Sequence, residues 1–290
     1  MSLRRKALAA TLALATSFSL AACAGGNDED TIVIGTTDSE QKQWTVFKDE
    51  LDKAGLKTEI KAFNDYSIPN RALADGDIDV NNFQHMMFLA EYNVGNNTDL
   101  TPVGATEILP LGLYYKEHSE LKDVEEAGEV TIPNDSTNQG RAINVLVQAG
   151  LVALKKEGLL TPTPADIDEG KSKVKVIAVD AAQTATSWLD GKPAIVNNSF
   201  LDRAKIDPKT VIFQDDPKKE EAQPYINGFV TTKERKDEAD LKKLVEIWHS
   251  KPVQDAIDEQ SKGTSVEVNM DSDELNEVVK DTEQKIKDQK

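Results

Sequence analysis

The chain has 290 residues, a formal charge of −17 at neutral pH and an apolar share of 39%. So acidic a body repels nucleic acid and anionic lipid surfaces, which excludes an electrostatic nucleic-acid binder. The apolar share excludes wholesale disorder, and the single cysteine excludes a disulfide scaffold, so the fold must hold by packing.

At the N-terminus, Arg4, Arg5 and Lys6 precede an almost wholly apolar or small run over 7–22, which is the form of an export signal rather than of folded structure. The run is too short and too early for a span of about 20 residues with a stop-transfer cluster, and no other segment is long and apolar enough to cross a membrane. Leu20, Ala21 and Ala22 stand directly before Cys23, the only cysteine. At this place the thiol reads as a lipobox cysteine that becomes an acylated N-terminus, rather than as a buried free thiol. Two acyl chains suffice for durable anchoring to a lipid bilayer. The sequence therefore predicts a signal peptide over 1–22, a lipidated cysteine and tether over 23–30, and a lipid-anchored location on the extracytoplasmic face of the cell membrane.

From residue 31 the pattern alternates between strand and helix. Residues 31–37 read as a strand ending in a small-residue turn. Trp44, Phe47, Leu51 and Ala54 follow at helical spacing and stop near Gly55. A strand over 58–63, a helix over 69–74 and a turn into a short strand over 76–80 come next. In that last stretch Asp77 and Asp79 alternate with Ile78 and Val80, so they read as the polar side of a strand more readily than as an acid/base pair. The middle repeats the grammar, with strands over 129–133, 173–179 and 194–196 and a helix over 140–154. A short strand over 229–231 and a helix striped by Leu241, Leu244, Val245 and Trp248 lie near the end. The acidic segment 264–290 reads as a surface helix or a frayed tail.

This grammar implies an α/β chain whose lobes are mainly parallel sheets flanked by helices, with a ligand cleft at the strand ends. There is no Gly-x-Gly-x-x-Gly, phosphate loop, Gly-x-Ser-x-Gly or His-Glu-x-x-His motif. His85, His118 and His249 are too widely separated to advertise a metal site. The expectation is a binding protein without catalytic residues, cofactor or metal; an exported enzyme and a lipid-anchored surface-interaction protein are the competing classes.

The informative polar segments are 63–70, 81–85, 132–141, 197–198 and 224–227. The run Asn81-Asn82-Phe83-Gln84-His85 and the run Ile132-Pro133-Asn134-Asp135-Ser136-Thr137-Asn138-Gln139-Gly140-Arg141 together resemble the methionine-binding lipoprotein family, over about 31–263. The resemblance implies a two-lobed periplasmic-binding-protein-like fold, with lobe 1 formed by 31–112 and 228–290 and lobe 2 by 113–227. It further implies capture of L-methionine by a monomer and delivery to an ABC permease with a cytoplasmic ATPase. Ligand contacts would map onto Tyr66, Phe83, His85, Arg141, Asn197 and Asn227. Phe88 stands where the family usually has a tyrosine, which keeps the ring and loses a hydroxyl. Thr37-Asp38-Ser39-Glu40 departs from the proline/glycine-histidine form common after the first strand. These departures leave room for another amino acid or a short methionine-containing peptide.

By residue type, Arg141 near a helix start could take an α-carboxylate in a bidentate pair, or it could be a surface arginine. Asn197 and Asn227 could meet an ammonium or serve as turn residues. Tyr66 and Phe83 could wall a slot for a thioether or belong to the core, and His85 could hydrogen-bond a carboxylate or simply pack.

Overall fold

The computed structural model describes residues 31–288, so the expected signal peptide, Cys23 and the tether lie outside the described residues. The chain first runs through β1 (Ile32–Thr36), α1 (Lys42–Lys53), β2 (Thr58–Ala62), α2 (Pro69–Ala74), β3 (Val80–Asn81), α3 (Met86–Asn96) and β4 (Thr101–Ile108). It then builds a second set with β5 (Gly112–Tyr114), α4 (Leu121–Ala127), β6 (Glu129–Pro133), α5 (Ser136–Gln148), β7 (Lys175–Val179), α6 (Ala181–Leu189), β8 (Ala194–Val196), α7 (Asn198–Leu201) and β9 (Phe213–Gln214). It returns through β10 (Ile226–Thr231), α8 (Ala239–Trp248), α9 (Lys251–Ser261) and β11 (Val266–Glu267), and closes with α10 (Ser272–Asp288).

Two sheets result, with strand orders β11-β4-β10-β3-β1-β2 and β7-β6-β8-β5-β9. Parallel pairing joins β1 to β2 and β3 in the first, and β6 to β7 and β8 in the second. β10 and β5 run antiparallel to both of their neighbours. The two-lobed α/β class is thus present with mixed sheets. A strand that arrives from the other sheet needs no helical crossover, so nothing obliges it to run parallel.

Each sheet is covered on both faces. On one side of the first sheet Ile34, Trp44, Phe47, Leu51, Phe229 and Trp248 pack together. The Phe47 and Trp248 rings meet edge to face at 4.9 Å. The other side holds Met86, Leu89, Ile226, Leu275 and Val279. In the second sheet Leu113, Ile132, Ile143 and Ile195 form one layer, with Tyr114, Val196 and Phe200 in the other. Asp79 accepts from the Val33 amide at 2.6 Å and pairs with Arg235, so it clasps the end of β3 to β1. Asp77 is exposed, and the two carboxylates form no acid/base pair.

One local expectation is corrected, and one pair of alternatives is decided. The helix placed over 140–154 runs over Ser136–Gln148, capped by the Asp135 carboxylate, which accepts from the Asn138 amide at 3.0 Å. Its first turn is polar and carries no apolar signature, and its end is closed by Gly150 at φ 70°. Arg141 therefore sits in the second turn, away from the free amides of the first. Segment 264–290 is not frayed where described: α10 buries Leu275, Val279, Thr282 and Ile286 along one face. That i, i+4, i+7, i+11 stripe packs on α3, whose N-terminus faces the cleft. Gly140 lies under the loop after α5, where a Cβ would fall 2.7 Å from Thr161 Cα, so only glycine permits that approach.

Candidate functional site

A cavity enclosing about 440 Å³ of non-atom space, its open mouth included, lies where loops from the two sheets meet. Tyr66, Phe83, His85, Phe88, Arg141, Asn197 and Asn227 all line it. The seven residues named in the sequence as candidate ligand contacts therefore share one cavity. The cavity also contains Gln84, Leu109, Pro110, Leu111, Asn138, Asn198 and Ser199. Asn138 lies inside the polar run after β6 and Asn198 follows Asn197, so both sat in marked segments. The stretch 109–111 carries no polar signal and could not have been chosen from sequence.

Tyr66, Phe83 and Phe88 form a three-sided box, with ring centroids 5.9, 6.1 and 5.7 Å apart. Their positions are fixed from behind. The side chains of Asn70, Asn81 and Gln84 exchange hydrogen bonds of 2.5 to 3.1 Å in a buried amide knot that sets the loop carrying Phe83 and His85. A fully paired buried polar network specifies one geometry, because breaking any link leaves an unsatisfied amide. Burial, first of all, holds the Tyr66 phenol well above its ordinary range, so its hydroxyl stays neutral, hydrogen-bonded with Ser199.

His85 caps α3. Its Nδ1 accepts from the Phe88 amide at 3.1 Å, while its Nε2 lies 3.2 Å from Asn138 Oδ1. With Nδ1 an acceptor, the proton belongs on Nε2, which donates across to Asn138. Burial and then the Arg141 charge lower the His85 pKa to about 3, so the ring is neutral at working pH. Asn138 Oδ1 also accepts from Asn197 Nδ2 at 3.0 Å. That fixes the Asn197 amide with Oδ1 outward, and this buried oxygen has no partner. Asn227 donates through Nδ2 to the Glu107 carbonyl at 3.3 Å.

Arg141 is buried and its two-pronged edge is already taken. Nε donates to Asp215 Oδ2 at 2.6 Å, and Nη2 donates to Asp215 Oδ1 at 3.2 Å and to the Leu109 carbonyl at 2.9 Å. The guanidinium lies 4.2 Å over the Tyr225 ring. It is neither the solvent-paired surface arginine nor an open fork, because an internal carboxylate holds the fork. None of these bonds involves Nη1. With His85 neutral, Arg141 is the one charged group among the described residues that line the cavity, and its partner Asp215 stands behind the lining. Such a site accepts a zwitterion without net charge burial, whereas a plain anion would leave a surplus charge.

A second hollow adjoins the first and shares Phe83, Leu109, Asn198, Ser199 and Asn227 with it. It holds Glu107, which accepts from Trp248 Nε1 at 3.0 Å. Burial and, after it, the Asp38 charge push Glu107 up to about 7, against the opposing effect of that hydrogen bond. Relative to an ordinary value of 4.5, the folded state keeps this proton through a window in which the unfolded chain has lost it. The resulting stability is full below about pH 4.5 and is lost as pH rises to about 7, a change on the order of 3 kcal/mol. His85, with its lowered pKa, acts in the opposite sense between about pH 3 and 6.5, equally in wild type and in a Glu107→Gln variant. Denaturant titrations across pH 4.5 to 7 in an amine-free buffer therefore show wild type losing stability relative to Glu107→Gln. Parallel pH profiles for the two proteins would refute this assignment.

Residues 32–269 match a family model described as NlpA lipoprotein. The D-methionine-binding lipoprotein MetQ of Escherichia coli strain K12 is 33% identical over 274 residues, covering 92% of this chain and 99% of that protein. Among solved structures, protein PG110 from Staphylococcus aureus superposes with a TM-score of 0.80 at 37% identity, covering 87% of this chain and 99% of that one. A nutrient binding protein from Burkholderia cenocepacia bound to methionine gives a TM-score of 0.74 at 33% identity, with 81% and 99% covered.

Proposed function

Because the chain belongs to the NlpA lipoprotein family, an extracytoplasmic, lipid-anchored group of solute-binding proteins rather than enzymes, we propose that its cleft captures L-methionine for an ABC importer. The observation that carries this reading is one cavity that joins a box of three aromatic rings to an orphaned buried acceptor, Asn197 Oδ1, and a cation, Arg141. An unbranched thioether suits the box, since sulfur is favourably placed against ring edges. The α-ammonium would donate to Asn197 Oδ1 with Asn227 beside it, and the α-carboxylate would take the Arg141 Nη1 edge and the His85 side of the cavity. Phe88 supplies a ring and no hydroxyl, so the side chain would be recognised by shape and polarizability alone.

In this reading the expected lobes, 31–112 with 228–290 and 113–227, shift slightly at their edges, since Gly112 opens β5 of the second sheet and Ile226 and Asn227 open β10 of the first, and methionine stabilises their closed arrangement. Contacts that would strengthen on closure already cross between them: His85 to Asn138 at 3.2 Å, and Arg203 to the carbonyls of Thr37 at 2.6 Å and Asn64 at 3.1 Å. A ligand touching both sides shifts the population only by its differential affinity for the closed form. The permease, with its cytoplasmic ATPase, would then read the closed shape.

Mass spectrometry of small molecules released by unfolding natively purified protein tests the reading. L-methionine is expected near one equivalent. A different amino acid in that quantity would keep the binding role and overturn the ligand.

A further inference from the structure

The hollow beside the cleft, about 500 Å³ with its opening to solvent included, is lined by Asp38, Glu107, Gln43, Trp44, Trp248 and Ser261, among others. Asp38 Oδ1 accepts from Thr36 Oγ1 at 2.6 Å and from Trp44 Nε1 at 2.7 Å, and Glu107 Oε2 accepts from Trp248 Nε1 at 3.0 Å. Each carboxyl group is thus held by an indole N–H, and among the described residues no lysine or arginine lines the space. Two further acceptors have no partner. Gln43 Oε1 and Ser261 Oγ are buried and unpaired among the described residues, on residues 7% and 4% exposed. Gln43 Nε2 is tied to Gln41 Oε1 at 2.5 Å, which keeps the orphaned oxygen as the free end of its amide.

The enclosure combines two carboxyl groups, spare neutral acceptors and two tryptophans, with no lysine or arginine among the described lining residues, and Glu107 keeps a proton up to about pH 7 whose place a bound cation would take. A divalent metal would want more oxygen ligands than two carboxylates supply, and among the described residues no group of three or more His, Cys, Asp or Glu could hold a metal ion. An organic ammonium fits better. Its three N–H donors match the carboxylates and the orphaned amide oxygen, and its carbon stem suits indole faces, which also attract positive charge. We propose that this hollow is a binding site for a protonated primary amine, contiguous with the cleft across Phe83.

Tryptophan fluorescence reads the site directly, because Trp44 and Trp248 wall the hollow and no tryptophan lines the cleft. The chain from 24 to 290, which contains the compact unit Thr31–Lys290, is titrated with ethylammonium chloride, with sodium chloride at equal ionic strength as the reference. A saturable change specific to ethylammonium is expected, weakened at least tenfold in both Asp38→Asn and Glu107→Gln. No saturable change in wild type, or unaltered affinity in whichever variant retains the wild-type circular dichroism, would overturn the site. Repeating the titration with saturating L-methionine separates two sources of the amine. Unchanged binding assigns the site to a separate small amine, and competition assigns it to the ammonium of the cleft's own ligand. The first titration contains no methionine, so failure of the methionine reading leaves its result intact.

Discussion

Arg141→Ala is expected to weaken methionine binding at least a hundredfold and to destabilise the empty protein as well. The second effect follows from Asp215. The guanidinium and this carboxylate form a buried bidentate pair, with 5% and 14% of the side chains exposed. Removing one partner leaves the other charge inside without compensation, which costs about 3–5 kcal/mol. Loss of binding would then be ambiguous, so a second variant is needed. Arg141→Met combined with Asp215→Asn removes both charges, and replacing a whole buried pair by neutral groups is often close to neutral for stability. The double variant should recover most of the melting temperature and still fail to bind. If it recovered binding too, Arg141 would be a structural residue alone and the ligand carboxylate would be held elsewhere.

Ending the chain after Gly263 is expected to cost at least ~5 kcal/mol of stability and to abolish binding. Three apolar side chains on α10, Leu275, Val279 and Ile286, are buried against the core beneath α3, and each such burial is worth roughly 1.5–3 kcal/mol. Asn93 also donates to Glu283, tying α3 to α10 at 3.2 Å. The same helix α3 starts at the His85 cap and presents Phe88 to the cleft, so losing its backing disturbs the aromatic box. The point variant Val279→Asp, at a position 1% exposed, should reproduce much of the loss by forcing a carboxylate into that layer. Thermal melts of the truncated chain and of Val279→Asp measure this. Unchanged melting temperatures would show that α10 is an ornament on the surface.

Why α10 was hard to read from sequence is physical. Its buried stripe includes Thr282 and is spaced by charged residues on every other side, so the apolar signal is thin although the periodicity is regular. The strands and the α1 and α8 stripes were legible because Trp44, Phe47, Leu51, Leu241, Leu244 and Trp248 are large and regularly placed. The start of α5 was not, since capping by Asp135 replaces apolar periodicity there. In the site, residue types and segment positions were enough to gather Tyr66, Phe83, His85 and the two asparagines. The engagement of Arg141 by Asp215 was not visible, because the two are joined only by the fold, 74 positions apart. The pairing of Asp38 and Glu107 around one hollow has the same character: one lies after β1 and the other in β4, and only the sheet brings them near each other.

Calorimetric titration of the refolded chain from 24 to 290 shows directly whether the cleft binds methionine. Refolding from denaturant removes any carried ligand. L-methionine is titrated first, then D-methionine, then the remaining amino acids one by one. Saturable binding of L-methionine at a single site, absent in the Arg141→Met and Asp215→Asn double variant, is the predicted result. Silence toward methionine, with saturable binding of another amino acid to the same refolded protein, would contradict it.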